Sequence, residues 1–106
     1  MKEKDLKIAR ELKRKLSSFV KLVEMRVFGS RARGNYGKYS DMDVFIEVEK
    51  LNKPLKAKIR KQVWEVGFNN NCMVISPLIT TRHDLEKTPL RSAPIIKNIF
   101  EAGVII

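Results

Sequence analysis

Cysteine, histidine and long apolar runs are scarce in this chain of 106 residues, and each scarcity excludes a class of protein. The single Cys72 has no partner for a disulfide within the chain, and with only one histidine besides, the ligands of a typical zinc site are missing. No apolar run approaches the ~20 residues of a membrane-spanning helix, so no membrane role is expected. The charged N-terminus lacks the apolar core of a secretory signal, which predicts a cytoplasmic protein.

Acidic residues are also few, with 12 Asp and Glu against 22 Lys and Arg and a formal net charge of +10. Positive charge of this size attracts polyanions, so nucleic acid is one candidate partner. The lysines are spread along the chain, however, and the aromatic residues are not interleaved with them as in a platform that stacks bases. We therefore favour a basic surface that steers a smaller polyanion, such as a nucleotide.

The apolar residues follow helical spacing in some segments and strand alternation in others. These patterns, read in order, predict a helix over 3–18, a strand over 23–27, a helical turn over 31–33, a strand over 43–48, a helix over 54–66, a strand over 72–80 and a helix from Pro89 or Ser92 to Ala102. The strand over 72–80 is continuously apolar, so we expect it to be buried, with Pro77 marking an edge or a bulge. The order predicts one α/β domain over 1–106, a small mixed sheet flanked by helices.

Three further residues are given structural roles. Cys72 is expected in the core, where free cysteines usually lie. Trp64 is expected to lie in the core or to contact a partner, rather than to stack on a ligand. His83 beside Asp84 predicts a surface loop, because one histidine cannot build a metal-dependent hydrolase site.

A glycine and a serine, Gly29 and Ser30, stand where the first strand enters the helical turn. Glycine leaves room for a phosphate, the N–H groups of such a turn point outward, and serine adds a hydroxyl. Arg31 and Arg33 project in roughly opposite directions from a helical turn, so at most one of them can face a ligand closely. The alternative is an ordinary capped turn, because such Gly-Ser pairs are common.

Ser40 precedes two carboxylates, Asp41 and Asp43, at the entrance of the second strand. Residues i and i+2 of a strand point to one face with Cα atoms about 6.5–7 Å apart, so both carboxylates could hold one divalent ion or a close pair of ions. Mg²⁺ is suitable because it prefers oxygen ligands and binds nucleotide phosphates. The alternative is that Asp41 caps the loop and Asp43 is merely exposed.

Together these residues form the pattern Gly29-Ser30-x-Ala32-Arg33-Gly34 and Ser40-Asp41-x-Asp43 before an apolar strand. This pattern resembles the minimal nucleotidyltransferases of the DNA polymerase beta superfamily. The third strand and the stretch from Ile96 to Val104 are also similar to that family, so the resemblance covers nearly the full length. It implies a polymerase beta-like fold and the transfer of a nucleoside monophosphate from a nucleoside triphosphate, most simply ATP, to a hydroxyl, with Mg²⁺ as cofactor.

The resemblance also implies roles for single residues. Gly29 and Ser30 would bind the terminal phosphates, and Ser40 belongs to the same nucleotide-binding set. Arg33 would support that loop or a phosphate. Asp41 and Asp43 would be the catalytic residues and would bind Mg²⁺.

One departure from the family leaves two functions open. Active superfamily members use a third carboxylate from a neighbouring strand, and residues 72–80 contain no Asp or Glu. Glu47 lies ~13 Å from Asp43 along a strand, and Asp84 lies beyond the third strand. The chain is therefore either a nucleotidyltransferase or a catalytically weak or inactive module that binds a nucleotide and a partner.

The resemblance further implies a partner protein. Minimal nucleotidyltransferases commonly act with a helical HEPN-domain protein as antitoxin and toxin, and some adenylylate a tyrosine on it. A domain of this size has little surface left to enclose a second small substrate, which also favours a macromolecular acceptor. A HEPN-type protein is therefore the expected partner, and nucleic acid is the less favoured one.

Overall fold

The computed structural model describes residues 1–106, apart from the side chain of Arg91. Its elements, in chain order, are α1 (Glu3–Ser17), β1 (Leu22–Phe28), α2 (Gly29–Arg33), β2 (Met42–Val48), α3 (Lys53–Asn69), β3 (Ile75–Thr81), α4 (Arg82–Lys87), a 3₁₀ helix (Pro89–Ser92), α5 (Pro94–Ala102) and β4 (Val104–Ile105). In the part of the chain so described, no helix is long and apolar enough to cross a membrane.

The four strands form one mixed sheet in the order β3-β2-β1-β4. Strand β1 is antiparallel to both β2 and β4, whereas β2 and β3 are parallel. A parallel neighbour requires a crossover connection, and α3 provides it. The predicted α/β fold, with a small mixed sheet flanked by helices, is confirmed.

The two faces of β2 belong to different clusters of buried side chains. Val44 and Ile46 lie with residues of α1 and α3 in the larger cluster. Phe45 lies on the opposite face with Ile96 and Ile99 of α5. Helices therefore cover both faces of the central strand, which is why its sequence is almost continuously apolar after Asp43.

The third strand differs from its prediction. It begins at Ile75 rather than Cys72, and it lies at an edge of the sheet with most of its residues only partly buried. Pro77 is tolerated there because an edge strand leaves some N–H groups unpaired. Cys72 is exposed, and its backbone has a left-handed φ of 56° in the turn after α3. The expectation of a core cysteine was therefore wrong.

The C-terminal third also contains elements that the sequence did not predict. The expected last helix is divided into the 3₁₀ helix and α5, with Pro94 in the first turn of α5. His83 and Asp84 lie in α4 rather than in a loop, because the Thr81 side chain accepts a hydrogen bond from the N–H of Asp84 and caps that helix. Strand β4 has only two residues, too few for a visible alternation.

Candidate active site

The Gly-Ser turn and the entrance of β2, with its paired aspartates, lie at one end of the sheet. Strand β1 ends there and strands β2 and β3 begin there, so Phe28 pairs with Asp43, and Asp43 pairs with Ser76. Side chains at paired positions of neighbouring strands point to the same face. Asp43 therefore lies between Phe28 and Ser76 on the face that α5 partly covers.

Gly29 brings the turn after β1 against the carboxylate of Asp43. Its φ is +73°, a conformation that disfavours residues with a side chain, and a Cβ built on it would lie 2.6 Å from Oδ2 of Asp43. The absence of a side chain thus permits both the turn and the approach of the carboxylate. The turn at Gly29 and the carboxylate of Asp43, which is 14 positions later in the sequence, therefore lie close together.

Asp43 and Asp41 repel each other in the absence of a cation. Asp41 is exposed and Asp43 is half-buried. Burial, and secondarily the charge of Asp41, raise the pKa of Asp43 above its usual value. A divalent cation between the two carboxylates would remove this repulsion, so the donor chemistry fits Mg²⁺.

The protein supplies only part of a metal coordination sphere. Among the residues that the structure describes, no cluster of three or more His, Cys, Asp or Glu side chains could hold a metal ion. Mg²⁺ normally takes six oxygen ligands and often shares them among carboxylates, phosphates and water. The pair therefore fits an ion that arrives with a nucleotide.

No carboxylate from a neighbouring strand completes the pair. The position of β3 beside Asp43 is occupied by Ser76, whose side chain is exposed. Glu47 is buried toward the opposite end of β2, where Nε of Arg82 lies 2.9 Å from its Oε2. Asp84 lies in α4, beyond the far end of β3. Neither acid reaches the site, as the sequence indicated.

The two arginines of the turn have different environments. Arg31 is buried, and its Nε donates a hydrogen bond of 2.9 Å to the carbonyl oxygen of Ser40. This bond holds the loop one residue before Asp41. Arg33 is exposed, and its role toward a phosphate stays a prediction.

A buried network behind the site was missed in the sequence. Asp5 of α1 is fully buried; its Oδ1 accepts a 2.8 Å hydrogen bond from Nη1 of Arg31, and its Oδ2 accepts one from the Tyr36 hydroxyl. Burial and the contact with Asp5 raise the pKa of Tyr36. The available signal was spacing, because Asp5 lies three and four residues before the buried Ile8 and Ala9.

The mixed sheet thus brings the Gly-Ser turn close to Asp43, one of the two aspartates of the sequence motif. Residues 7–106 match the family model described as "Nucleotidyltransferase domain", and the chain belongs to that family.

The fold is also found in a solved structure. A protein from Sulfolobus solfataricus whose assignment as a nucleotidyltransferase is provisional superposes with a TM-score of 0.51 and 21% sequence identity, over 94% of this chain and 77% of that one. At this identity the similarity supports the fold alone. No curated protein sequence matches the chain significantly.

Proposed function

We propose that this chain is a minimal nucleotidyltransferase that binds a nucleoside triphosphate, most simply ATP, and transfers its nucleoside monophosphate to a hydroxyl. The observation that supports the proposal is the close approach of Asp43 to the turn at Gly29, in a member of the nucleotidyltransferase domain family. In this proposal the turn binds phosphate and Asp43 binds the metal ion. Residues 1–106 would act as one domain in this reaction.

The proposed roles are those that the family resemblance implies for these residues. Gly29 and Ser30 bind the terminal phosphates, Ser40 adds a polar group beside the site, and the exposed Arg33 is free to meet a phosphate. Asp41 and Asp43 hold one Mg²⁺ ion or two, which would neutralise charge on the phosphates. The acceptor oxygen bonds to the α-phosphorus, the bond to pyrophosphate breaks, and the hydroxyl proton passes to solvent or to an acceptor group on the partner.

A catalytically weak or inactive module is the second candidate, and Ser76 is the observation that favours it. A carboxylate in this position could take the acceptor proton or hold a second metal ion, and a neutral serine does neither. Under this alternative the chain binds a nucleotide and a partner with little or no transfer.

The proposed acceptor is a hydroxyl on a helical HEPN-type protein, for which this chain would be the antitoxin. The family resemblance of the motif supports this partner. The exposure of Asp41 at this end of the sheet supports a large acceptor.

Nucleotide binding is tested by titration calorimetry with ATP, GTP, CTP and UTP, each with Mg²⁺. We expect one of them, ATP first, to bind in a Mg²⁺-dependent manner, and Asp43→Asn to remove that dependence. Asp84→Asn is the matched control, since Asp84 lies beyond the opposite end of the sheet. No binding of any triphosphate by the wild type would reject both candidate functions.

Transfer is tested by co-expressing the chain with a HEPN-type protein encoded by a neighbouring gene and measuring intact masses. A partner that gains the mass of AMP supports the enzyme, and a co-purifying but unmodified partner supports the binding module. Rapid transfer to small alcohols or sugars without any partner would contradict the proposed acceptor.

A further inference from the structure

Three large apolar side chains lie exposed between α3 and the start of β3. Trp64 is 64% exposed, Phe68 is 56% exposed and Val74 is 61% exposed. The Trp64 and Phe68 rings are stacked, with centroids 5.1 Å apart and an interplanar angle of 12°. Single exposed apolar residues are ordinary, whereas a group of them around a concavity marks an interaction site.

These side chains line an apolar hollow of about 440 Å³. Its walls also include the aliphatic or sulfur-containing residues Val63, Cys72, Met73, Ile75 and Pro77. Arg60 also lines the hollow and is the one charged residue among the described residues of its lining. The other lining residues are mostly apolar, so the hollow accepts an aliphatic or aromatic side chain, and Arg60 offers positive charge to an acidic neighbour of that side chain.

A basic groove of about 770 Å³ continues from the hollow and shares Cys72, Met73 and Val74 with it. Lys2, Lys4, Lys38 and Arg31 contribute positive charge, and none of the described residues that line the groove is acidic. Arg31 is already paired with Asp5, so the exposed lysines provide the charge that remains unpaired. The groove also reaches Ser40, one residue before Asp41.

We infer that the hollow and the groove together form a docking surface for an acidic segment of a partner protein that carries one apolar anchor side chain. The anchor fills the hollow, and its acidic neighbours lie along the lysines. This inference rests on the proposed function in one respect. The groove reaches Ser40, beside the carboxylate pair, so a docked partner would present its acceptor hydroxyl there.

Two other occupants fit the surface less well. A second copy of this chain also carries a net charge of +10, so the groove would meet like charge. A single-stranded nucleic acid could stack on Trp64 and contact the lysines and Arg60, but the apolar walls around Val74 and Met73, which make up most of the hollow, offer nothing to phosphates or base edges. Charge complementarity and the shape of the hollow therefore favour an acidic protein segment.

Trp64 is the only tryptophan of the chain and lies in the docking surface, so its fluorescence reports occupancy directly. The full-length chain is titrated, without nucleotide or Mg²⁺, with a synthetic peptide in which glutamates flank one central leucine. The same peptide with serine in place of leucine and an oligothymidylate of equal charge serve as comparison probes. We expect only the leucine peptide to shift Trp64 emission to the blue and to protect it from acrylamide, with affinity that falls as salt rises.

Variants of the docking surface distinguish the contribution of the apolar anchor to binding from the contribution of the lysine charges. Val74→Ser should weaken binding of the leucine peptide at least about fivefold, as expected for a central interface residue. Lys38→Glu should weaken it at low salt and flatten its salt dependence. Ile105→Ser is the control for Val74→Ser, because Ile105 is also 61% exposed but lies in β4 at the other edge of the sheet. Lys87→Glu, on the exposed surface of α4, is the control for Lys38→Glu.

Each remaining outcome counts against the inference. Equal binding of the leucine and serine peptides would show that no apolar anchor side chain contributes to binding. No response to either peptide would show that the hollow and groove are not a docking surface for acidic segments. A blue shift with oligothymidylate alone would assign the surface to nucleic acid, and one that grows with protein concentration without a probe would assign it to a second copy. Because nucleotide and metal are absent, failure here and failure of the nucleotide titration are independent.

Discussion

Gly29 is the residue whose missing side chain leaves room for the carboxylate of Asp43. Its φ is +73°, as is that of Gly34, which ends the same short helix. The two glycines differ in their surroundings, because a Cβ on Gly29 would meet Asp43 whereas a Cβ on Gly34 would meet nothing within 4 Å. Substituting each glycine in turn therefore distinguishes the effect of backbone strain, which both positions share, from the effect of a clash with the Asp43 carboxylate, which only Gly29 has.

Gly29→Ala and Gly34→Ala should therefore differ in their effects. Both variants pay the cost of a left-handed alanine, about 1–2 kcal/mol of stability. Only Gly29→Ala should also displace Asp43 and abolish the Mg²⁺-dependent part of ATP binding, measured by calorimetry. Equal ATP affinities for the two variants would show that Asp43 does not need its present position.

Asp43 should destabilise the metal-free protein at neutral pH. Its pKa is raised in the folded state, so the folded state binds a proton more tightly than the unfolded chain does. The stability that Asp43 contributes by binding this proton is fully present below the pKa that it has in the unfolded chain. It is lost as the pH rises through the pKa that Asp43 has in the folded state. Asp43→Asn should thus melt at a higher temperature than the wild type at neutral pH with a chelator present.

That difference should shrink as the pH falls toward the ordinary aspartate value, about 3.9, because Asp43 becomes protonated and resembles asparagine. Melting curves of the wild type and Asp43→Asn across this pH range show which of the two proteins is the more stable at each pH. A wild type that is more stable than Asp43→Asn at neutral pH without metal would contradict the raised pKa.

The parallel pairing of β2 and β3 determines which side chain stands beside Asp43, and it selects Ser76. The register also places Glu47 beside Thr80, toward the opposite end, where Glu47 pairs with Arg82. The missing third carboxylate is therefore a property of one position on an edge strand, where a longer side chain can be accommodated because Ser76 is exposed.

Ser76→Asp should supply that carboxylate. We expect tighter Mg²⁺ binding and a faster transfer to the protein acceptor, approaching the ~10²-fold that marks the lower end for a general base. Ser76→Asn has nearly the same shape without the charge and should leave the rate unchanged. If the transfer rate does not rise in Ser76→Asp, the missing carboxylate at position 76 is not what limits the reaction.

Helix α1 is connected to the loop before Asp41 through the buried pair of Asp5 and Arg31. Asp5→Asn should leave the guanidinium buried without its counter-charge and lower the free energy of unfolding by about 3–5 kcal/mol. Glu49→Gln breaks the exposed pair with Lys21 and should cost no more than about 1 kcal/mol. Urea denaturation of both variants measures the difference, and equal losses would refute a supporting role for the network.

The net positive charge affects the stability of the whole molecule. With +10 on 106 residues, the folded state carries self-repulsion that dissolved salt screens over a Debye length of about 10 Å at 0.1 M. Sodium chloride added from low to physiological concentration should therefore raise the melting temperature of the protein without nucleotide. A melting temperature that falls would mean that its surface ion pairs outweigh the repulsion.

Local patterns were sufficient for most of the fold. Helix α1, strands β1 and β2 and helix α3 were predicted within a few residues, because each buries one stripe or face and so imposes a visible period on its own sequence. The Gly-Ser turn and the paired aspartates were recognisable for a similar reason, since their chemistry depends on residues close together in the chain. Strand β4, with two residues, carries no period of its own.

Other features depend on residues that are distant in the chain and meet only after folding. The burial of Asp5 against Arg31 is one, and the contact of Gly29 with Asp43 and the position of Ser76 beside it are others. The sequence by itself determined the fold class and indicated the Gly-Ser turn and the paired aspartates that we propose for the site. The tertiary structure decided which charges are paired, which apolar side chains stay exposed and which neighbour Asp43 has, because pairing and burial depend on how the elements pack, and no local pattern specifies that packing.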